Sequence, residues 1–291
     1  MNTLRILVIR NIKLYLRDPL SVFFSLISTF IIILLYGLFL RANLMDGVRS
    51  VAGSAKYVSW LVDSWLMAGL IVVNSVTVSL GVLGLMVTDH TTNRLRSFLI
   101  APIKRSTIVS AYIIAAWLIG SALTTLTFIL GEVYIKINGG ELLSAMAILE
   151  VTGLIILNVF SSTSIVFSFV TMMNSAAAFQ TFTAVLGTII GFVAGIYVPI
   201  GLLSQPIQTF TKFIPITYGV SLSREVFMRE PIAIMFAGAP SSAIIGFEEY
   251  FGSRVFWGDY QVSRLLMAGI LLVSGFIFIG LSVVIMNRKK G

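Results

Sequence analysis

The sequence predicts an all-α integral membrane protein. Six transmembrane helices are joined by an amphipathic helix at the N-terminus, a second amphipathic helix on the cytoplasmic side between helices 2 and 3, and a proline-broken, re-entrant outer segment before helix 6. Three observations lead there. Hydrophobic residues make up 57% of the 291-residue chain and charged residues only 11%, with a mean hydropathy of +0.99, more apolar surface than a soluble core absorbs. Asp, Glu, Lys and Arg also avoid five long windows, and lysine and arginine fall unevenly between the loops that separate the windows.

Because a charge is expensive in hydrocarbon, the charge-free windows mark the spans. They are Pro19 to Leu40, Ser64 to Thr88, Ser106 to Gly131, Val151 to Thr211 and Leu265 to Asn287, of 22, 25, 26, 61 and 23 residues. A hydrocarbon core of about 30 Å needs about 20 helical residues, so four windows hold one span each. In the 61-residue window Asn174-Ser175 separates two apolar runs, read as two spans joined by a tight turn. Strands of a transmembrane barrel would alternate apolar and polar residues, and these runs do not. The spans fall at 20–40, 60–87, 107–131, 150–173, 176–198 and 265–286, in a single transmembrane domain.

Orientation follows from the cations. With residues 1–18, 88–105 and 287–291 inside, the cytoplasmic side carries eleven cations against Asp18 and Asp89, and the outside carries nine against ten acids. Both termini are therefore expected in the cytoplasm. Topology alone accounts for the basic composition, and no nucleic-acid partner is needed. The N-terminus does not read as a cleavable signal, because 18 residues of basic helix precede an apolar run too long for one.

Residues Asn2 to Asp18 project as a helix with Leu4, Leu7, Val8, Leu14 and Tyr15 on one side and Arg10, Lys13 and Arg17 on the other. Asn11 falls on the apolar side, and Ile6 and Ile9 near the basic one. Such a helix suits the anionic inner leaflet or a cytoplasmic partner. Asp18-Pro19 bends the chain into the first span. Arg41 to Lys56 reads as a polar outer loop turning at Asp46-Gly47. Tyr57, Trp60 and Trp65 suit a membrane interface, and Asp63 among them reads as a hydrated acid near the outer end, with a substrate or ion path as the other reading.

Thr88 to Arg105, TDHTTNRLRSFLIAPIKR, is a polar and basic interruption between two apolar runs. Leu95, Phe98 and Leu99 form one apolar stripe beside Arg94 and Arg96, and Pro102 stops the helix before Lys104 and Arg105. His90 reads as an ordinary polar residue. The third span ends near Glu132, and Asn138-Gly139-Gly140 turns the chain. Gly187, Gly191 and Gly195, four residues apart, leave a groove for a close neighbour, in this chain or in a second subunit. Pro199, Pro206 and Pro215 then permit only short helical pieces at membrane depth. Residues 231–259 read as a soluble outer insert, and its Glu248-Glu249 pair diverges by about 100° on a helix, which does not suit acid–base chemistry.

There is no phosphate-binding loop, no HExxH and no GxSxG. Without cysteine and with one histidine, thiolate metal sites and most catalytic triads are excluded. No catalytic residue, cofactor or metal is expected in this chain.

Two stretches, LRSFLIAPIKRSTIVSAY at Leu95 to Tyr112 and GIYVPIGLLSQPIQTFTKFIPITYGVSLSRE at Gly195 to Glu225, occur in an order that resembles the membrane subunits of type-2 ABC exporters. The Phe-Leu-X-X-Pro-Ile-Lys-Arg run is nearest in style to bacterial drug and toxin exporters. Many relatives carry a glutamate in the cytoplasmic helix where this chain has Asn93, Arg94 and Arg96, which implies a more acidic partner surface. The resemblance implies a bacterial plasma-membrane permease in which two such subunits, identical or different, work beside two ATP-binding subunits that hold ATP and Mg. It implies that Arg94, Leu95, Arg96, Phe98 and Leu99, with Pro102, Lys104 and Arg105, form a coupling helix seated on the ATPase. Arg10, Lys13 and Arg17 would make a second contact. The proline-broken segment, with Pro199, Pro206, Pro215, Tyr218 and Arg224, would be the outer gate, and the cargo an amphiphilic drug, toxin, peptide or lipid-like molecule. The competing readings are an ion-coupled secondary transporter and a membrane signalling or assembly subunit that transports nothing.

Overall fold

The structure, a computed structural model, describes residues 3–52, 55–94, 98, 100 and 102–288. Among the described residues six helices are long and apolar enough to cross a membrane, and the protein is a multi-pass α-helical membrane protein. Helix α1 is Thr3–Leu16. The first span is α2 (Pro19–Leu35), which continues through a π turn at Tyr36–Leu40 into α3 (Arg41–Ala52). The next four spans are α4 (Ala55–Thr91), α5 (Arg105–Ile137), α6 (Ala145–Val170) and α7 (Ala176–Val193). Short elements follow: a 3-10 turn at Ile200–Leu202, α8 (Gln205–Thr211), α9 (Pro215–Phe227), α10 (Arg229–Met235), α11 (Ser241–Phe251) and an antiparallel hairpin of β1 (Phe256–Trp257) and β2 (Tyr260–Gln261). The last span is α12 (Arg264–Arg288).

Helices α4 and α6 are central. Helix α4 packs on α5, α6 and α9, and α6 packs on α4, α12, α5 and α9, while α2, α7 and α12 leave most of their length uncovered. Lipid chains are as apolar as leucine, so association inside a membrane depends on close packing and on hydrogen bonds between helices. Both converge on α6, through the run Ser161 to Ser164. Ser162 is hydrogen-bonded to Ser75 at 3.0 Å, Thr163 to Ser79 at 2.7 Å and Ser161 to Ser274 at 3.2 Å. Ser168 adds a bond to Ser282 at 2.8 Å. Asn74 donates to Thr127 at 2.8 Å, which ties α4 to α5. Glycine supplies the close approaches: a Cβ on Gly120 would lie 2.6 Å from Val159, and one on Gly275 would lie 2.4 Å from Phe160.

The first outer loop expected from the sequence is instead helical as far as Ala52, and Asp63 is buried rather than hydrated. The cause is the π turn, in which the Arg41 N–H bonds to the Tyr36 carbonyl five residues back. On a regular α-helix residues five apart point about 140° from one another, whereas the wider turn brings them onto one side. Both side chains then reach Asp63. Arg41 donates from Nε and Nη2 at 2.9 Å each, and the Tyr36 hydroxyl donates at 2.9 Å. Arg41 also donates to Ser59. The cation that suggested a loop is therefore neutralised across to α4, and α3 continues as helix.

Other boundaries shift for similar reasons. Helix α5 continues past Glu132 to Ile137, and the buried Glu132 accepts a hydrogen bond from the Leu143 N–H at 2.9 Å. Helix α7 stops at Val193, short of 198, because Gly195 takes a left-handed conformation (φ +59°) and turns the chain back. The insert after Pro231 is not wholly solvated: Ile232, Phe236, Phe251 and Val255 are buried.

Gly219 faces Asn158 so closely that a Cβ there would lie 2.0 Å from its side-chain oxygen. Gly219→Ala is expected to destabilise the bundle by about 1–3 kcal/mol through overpacking, whereas Gly187→Ala, which meets nothing within 4 Å, should leave it unchanged. Thermal unfolding in detergent distinguishes them. Equal midpoints would mean that Asn158 yields without cost.

Candidate functional site

At the face carrying α1, one carboxylate joins three elements. Leu7, Val8, Asn11 and Tyr15 of α1 are buried, and α1 packs along α5. That leaves Arg10 at the edge, pointing to the last turn of α4. Its guanidinium meets the buried Asp89 bidentately, at 2.5 and 2.7 Å. The Tyr112 hydroxyl on α5 donates to the same carboxylate at 2.6 Å, and the Arg10 guanidinium also lies 5.1 Å from the ring centre of Phe98. Bidentate, charge-assisted bonds of this kind are directional as well as strong. The hydrogen bonds with Asp89 raise the Arg10 pKa above the ordinary arginine value, against the opposing effect of burial. Arg10 is therefore held by this chain's own carboxylate rather than left on the solvent face.

Lys13 and Arg17 are exposed, as are Arg94, Pro102 and Lys104, and Phe98 is half-buried. Arg105 donates to the carbonyls of Met286 and Asn287 at 2.6 and 3.2 Å, a cation at the C-terminal end of α12. Leu95, Arg96 and Leu99 lie outside the described residues. Asn93 has φ +58°, a left-handed position that asparagine tolerates better than most residues, and it ends the run of α4.

A groove opens beside this node. Its lower part, about 430 Å³, is lined by Tyr15, Asp18, Gly84, Thr88, Arg94 and Gln180, among others. Its upper part, about 410 Å³, is lined by Phe24, Ser25, Thr77, Leu80, Thr183 and Gly187. Gly81 lines both parts, so the groove runs between α2 and α7 over a floor of α4. The lower end offers charged and amide groups, and the upper end offers mostly hydrocarbon.

At the opposite face, Pro199 precedes the 3-10 turn, and Pro206 and Pro215 sit in the first turns of α8 and α9, where a missing N–H costs nothing. Nearly all of α9 is buried. Its Arg224 is fully buried and donates to the carbonyls of Ala194 and Gly195 at 2.7 and 3.0 Å, the C-terminal end of α7. The guanidinium lies over the Trp65 ring at 4.8 Å, and an added Cβ on Gly195 or Gly252 would lie 3.2 or 2.9 Å from it. Burial pulls the Arg224 pKa down, yet a guanidinium stays protonated at neutral pH. Its Nε and Nη1 find no acceptor among the described residues. Gly191 faces Tyr197 of its own chain and Gly187 faces open space; the glycine series thus accommodates the returning segment at two positions and the groove at the third. Tyr218 donates to the Lys212 carbonyl at 2.7 Å. Glu150 at the start of α6 receives Arg229 and Arg264, both at 2.8 Å, and Arg264 also pairs with Glu225 at 3.1 Å. Burial pushes the Glu225 carboxyl up while Arg264 and Arg229 pull it back.

The family description for ABC-2 type transporters matches residues 2–228, from α1 to the end of α9. The chain belongs to the ABC-2 type transporter family. It is therefore a membrane permease of an ABC-type transporter, a transport subunit of a kind that lacks its own ATPase site and works with an ATP-binding subunit. Comparison with curated proteins finds no match to this chain. The Arg10–Asp89 node and the whole groove lie on the matched stretch, as does Arg224.

Sequence reasoning missed Asp89, Tyr112 and Glu150 as organising residues of this permease. The available signal was an acid in an otherwise basic segment, Asp89 among Arg94, Arg96, Lys104 and Arg105. Asp89→Asn removes the charge that holds Arg10 and is expected to weaken the seat of α1 by about 1.5–3 kcal/mol. Tryptic cleavage after Arg10 in the folded protein should then accelerate, with Asp63→Asn as an unaffected control. An unchanged cleavage rate would show that apolar packing alone holds α1.

Proposed function

We propose that this chain is the permease half of an ATP-driven exporter of amphiphilic molecules, working as two permease subunits beside two ATP-binding subunits, with both termini in the cytoplasm. The observation that carries the reading is the Asp89 node. Through it α1, the end of α4 and the start of α5 are pinned together, so that a push on the 88–105 segment reaches three elements at once. Exposed Lys13, Arg17, Arg94 and Lys104 offer a basic face to an acidic ATPase surface. Arg94, Phe98, Pro102 and Lys104, with Leu95, Arg96 and Leu99, act as the coupling element. Arg10 acts from behind, as the strut that ties this element to α1.

The groove supports the cargo class. Charged and amide groups at one end and hydrocarbon at the other suit a molecule with a polar head and an apolar body, entering from the inner leaflet. On this reading the segment from Pro199 to Arg224, seated on α7 through Arg224, is the outer gate. An ion-coupled carrier needs an acid free to exchange partners, whereas Asp63 and Glu150 are each held by arginine.

Purified from its membrane in mild detergent, the chain is expected to bring with it an ATP-binding protein identifiable by mass spectrometry, and the pair to hydrolyse ATP. Phe98→Asp with Leu99→Asp is expected to abolish export and cargo-stimulated ATP hydrolysis while membrane insertion is retained. Normal export by that variant would overturn the coupling assignment, and a chain that purifies alone and moves nothing with ATP would overturn the exporter reading.

A further inference from the structure

The segment between α7 and α12 leaves a group of aromatic side chains uncovered. Phe210, Phe213 and Tyr260 are 61%, 69% and 60% exposed, and Trp257 is 39% exposed. Phe213 and Trp257 are in contact, and Tyr260 stands opposite Trp257 in the hairpin. The Phe213 and Trp257 rings, from opposite ends of the segment, meet edge to face with centres 5.1 Å apart. The Trp257 indole N–H donates to the Tyr218 hydroxyl at 3.1 Å, and that hydroxyl donates to the Lys212 carbonyl. The polar edge of the indole is thus satisfied within the protein.

The position of the group identifies what covers it. Gln261, the last residue of the hairpin, lies three residues before Arg264, where α12 begins, so the hairpin sits at a membrane boundary whichever way the chain is oriented. Leu265, Leu272, Phe276 and Ile277 of α12 are exposed, and the aromatic group is continuous in the chain with that bilayer-facing helix. Tryptophan and tyrosine favour the headgroup level, where one end of the ring system is wet and the other apolar. Lys212, between Phe210 and Phe213, has no acid partner among the described residues and suits a lipid phosphate.

We propose that Phe210, Phe213, Trp257 and Tyr260 form an anchor that seats this segment in the phospholipid headgroup layer at the face opposite α1. Through Trp257 and Tyr218 the anchor reaches α9, and through Arg224 it reaches the end of α7. The depth of the bilayer surface thereby sets the position of the segment. The inference rests on the chain being a multi-pass membrane protein and is independent of cargo, ATP and partner.

The test uses the full chain in nanodiscs of phosphatidylcholine brominated near the headgroup end of its acyl chains. The emission that Trp257 contributes is the difference between wild type and Trp257→Phe, both checked for equal thermal midpoints. Most of that difference should be lost in the brominated lipid and protected from aqueous iodide. Quenching by iodide alone would overturn the anchor, and so would protection from both quenchers, which would mean that protein covers the indole. Because the chain has no cysteine, Tyr260→Cys also takes a single nitroxide label, which should report greater access to oxygen than to a water-soluble nickel chelate. The reverse ratio would overturn the proposal even where Trp257→Phe fails to fold.

Discussion

The pairing of Arg10 with Asp89 is the contact on which the α1 face depends. A carboxylate buried at the end of a long apolar helix is costly unless its charge is paired and its oxygens are hydrogen-bonded. Asp89 meets that condition by drawing in a guanidinium from α1 and a phenol from α5. Three elements are thereby fixed to one another at the place where the chain leaves α4 for the basic 88–105 segment. The electrostatic requirement of one acid thus decides where an otherwise simple amphipathic helix sits.

Two other buried charges are held differently. Asp63 takes its counter-charge from across the first span, with the π turn aligning Arg41 and Tyr36 on it. Arg224 takes none from a side chain and relies on the carbonyls that end α7 and on an indole face, the negative end of a helix dipole and a ring quadrupole. Between these charges, hydroxyl pairs and glycines along α6 supply the close contacts that hydrocarbon cannot drive.

The spans were legible because the cost of charge in hydrocarbon clears long windows of the sequence, and Asn174-Ser175 was legible as the turn between the fourth and fifth. Those signals are local. Helix α3 was not legible, because Arg41 looks like a loop residue until its partner 22 positions away is known, and the π turn that aligns them leaves no mark in composition. The Gly187, Gly191 and Gly195 spacing was visible, but not that Gly195 ends the helix and that Tyr197 folds back over Gly191. Helical projection placed Arg10 beside Lys13 and Arg17 on one face, and it could not separate the cation that turns inward from the two that remain outside. The residues of the cytoplasmic stripe were legible as a pattern; Phe98 alone of the three is described, and it lies beneath Arg10.

The π turn holds one more residue than a regular helical turn would place between Tyr36 and Arg41. An inserted residue absorbed this way leaves the lower half of the first helix in its own register and the upper half in another. Deleting one residue within 36–40 would restore regular winding without moving the end near α1, and would rotate only the stretch that faces Asp63. The two ends of the first helix therefore hold separate registers, with the turn serving as a spacer between the end near α1 below and the contacts of Tyr36 and Arg41 with Asp63 above.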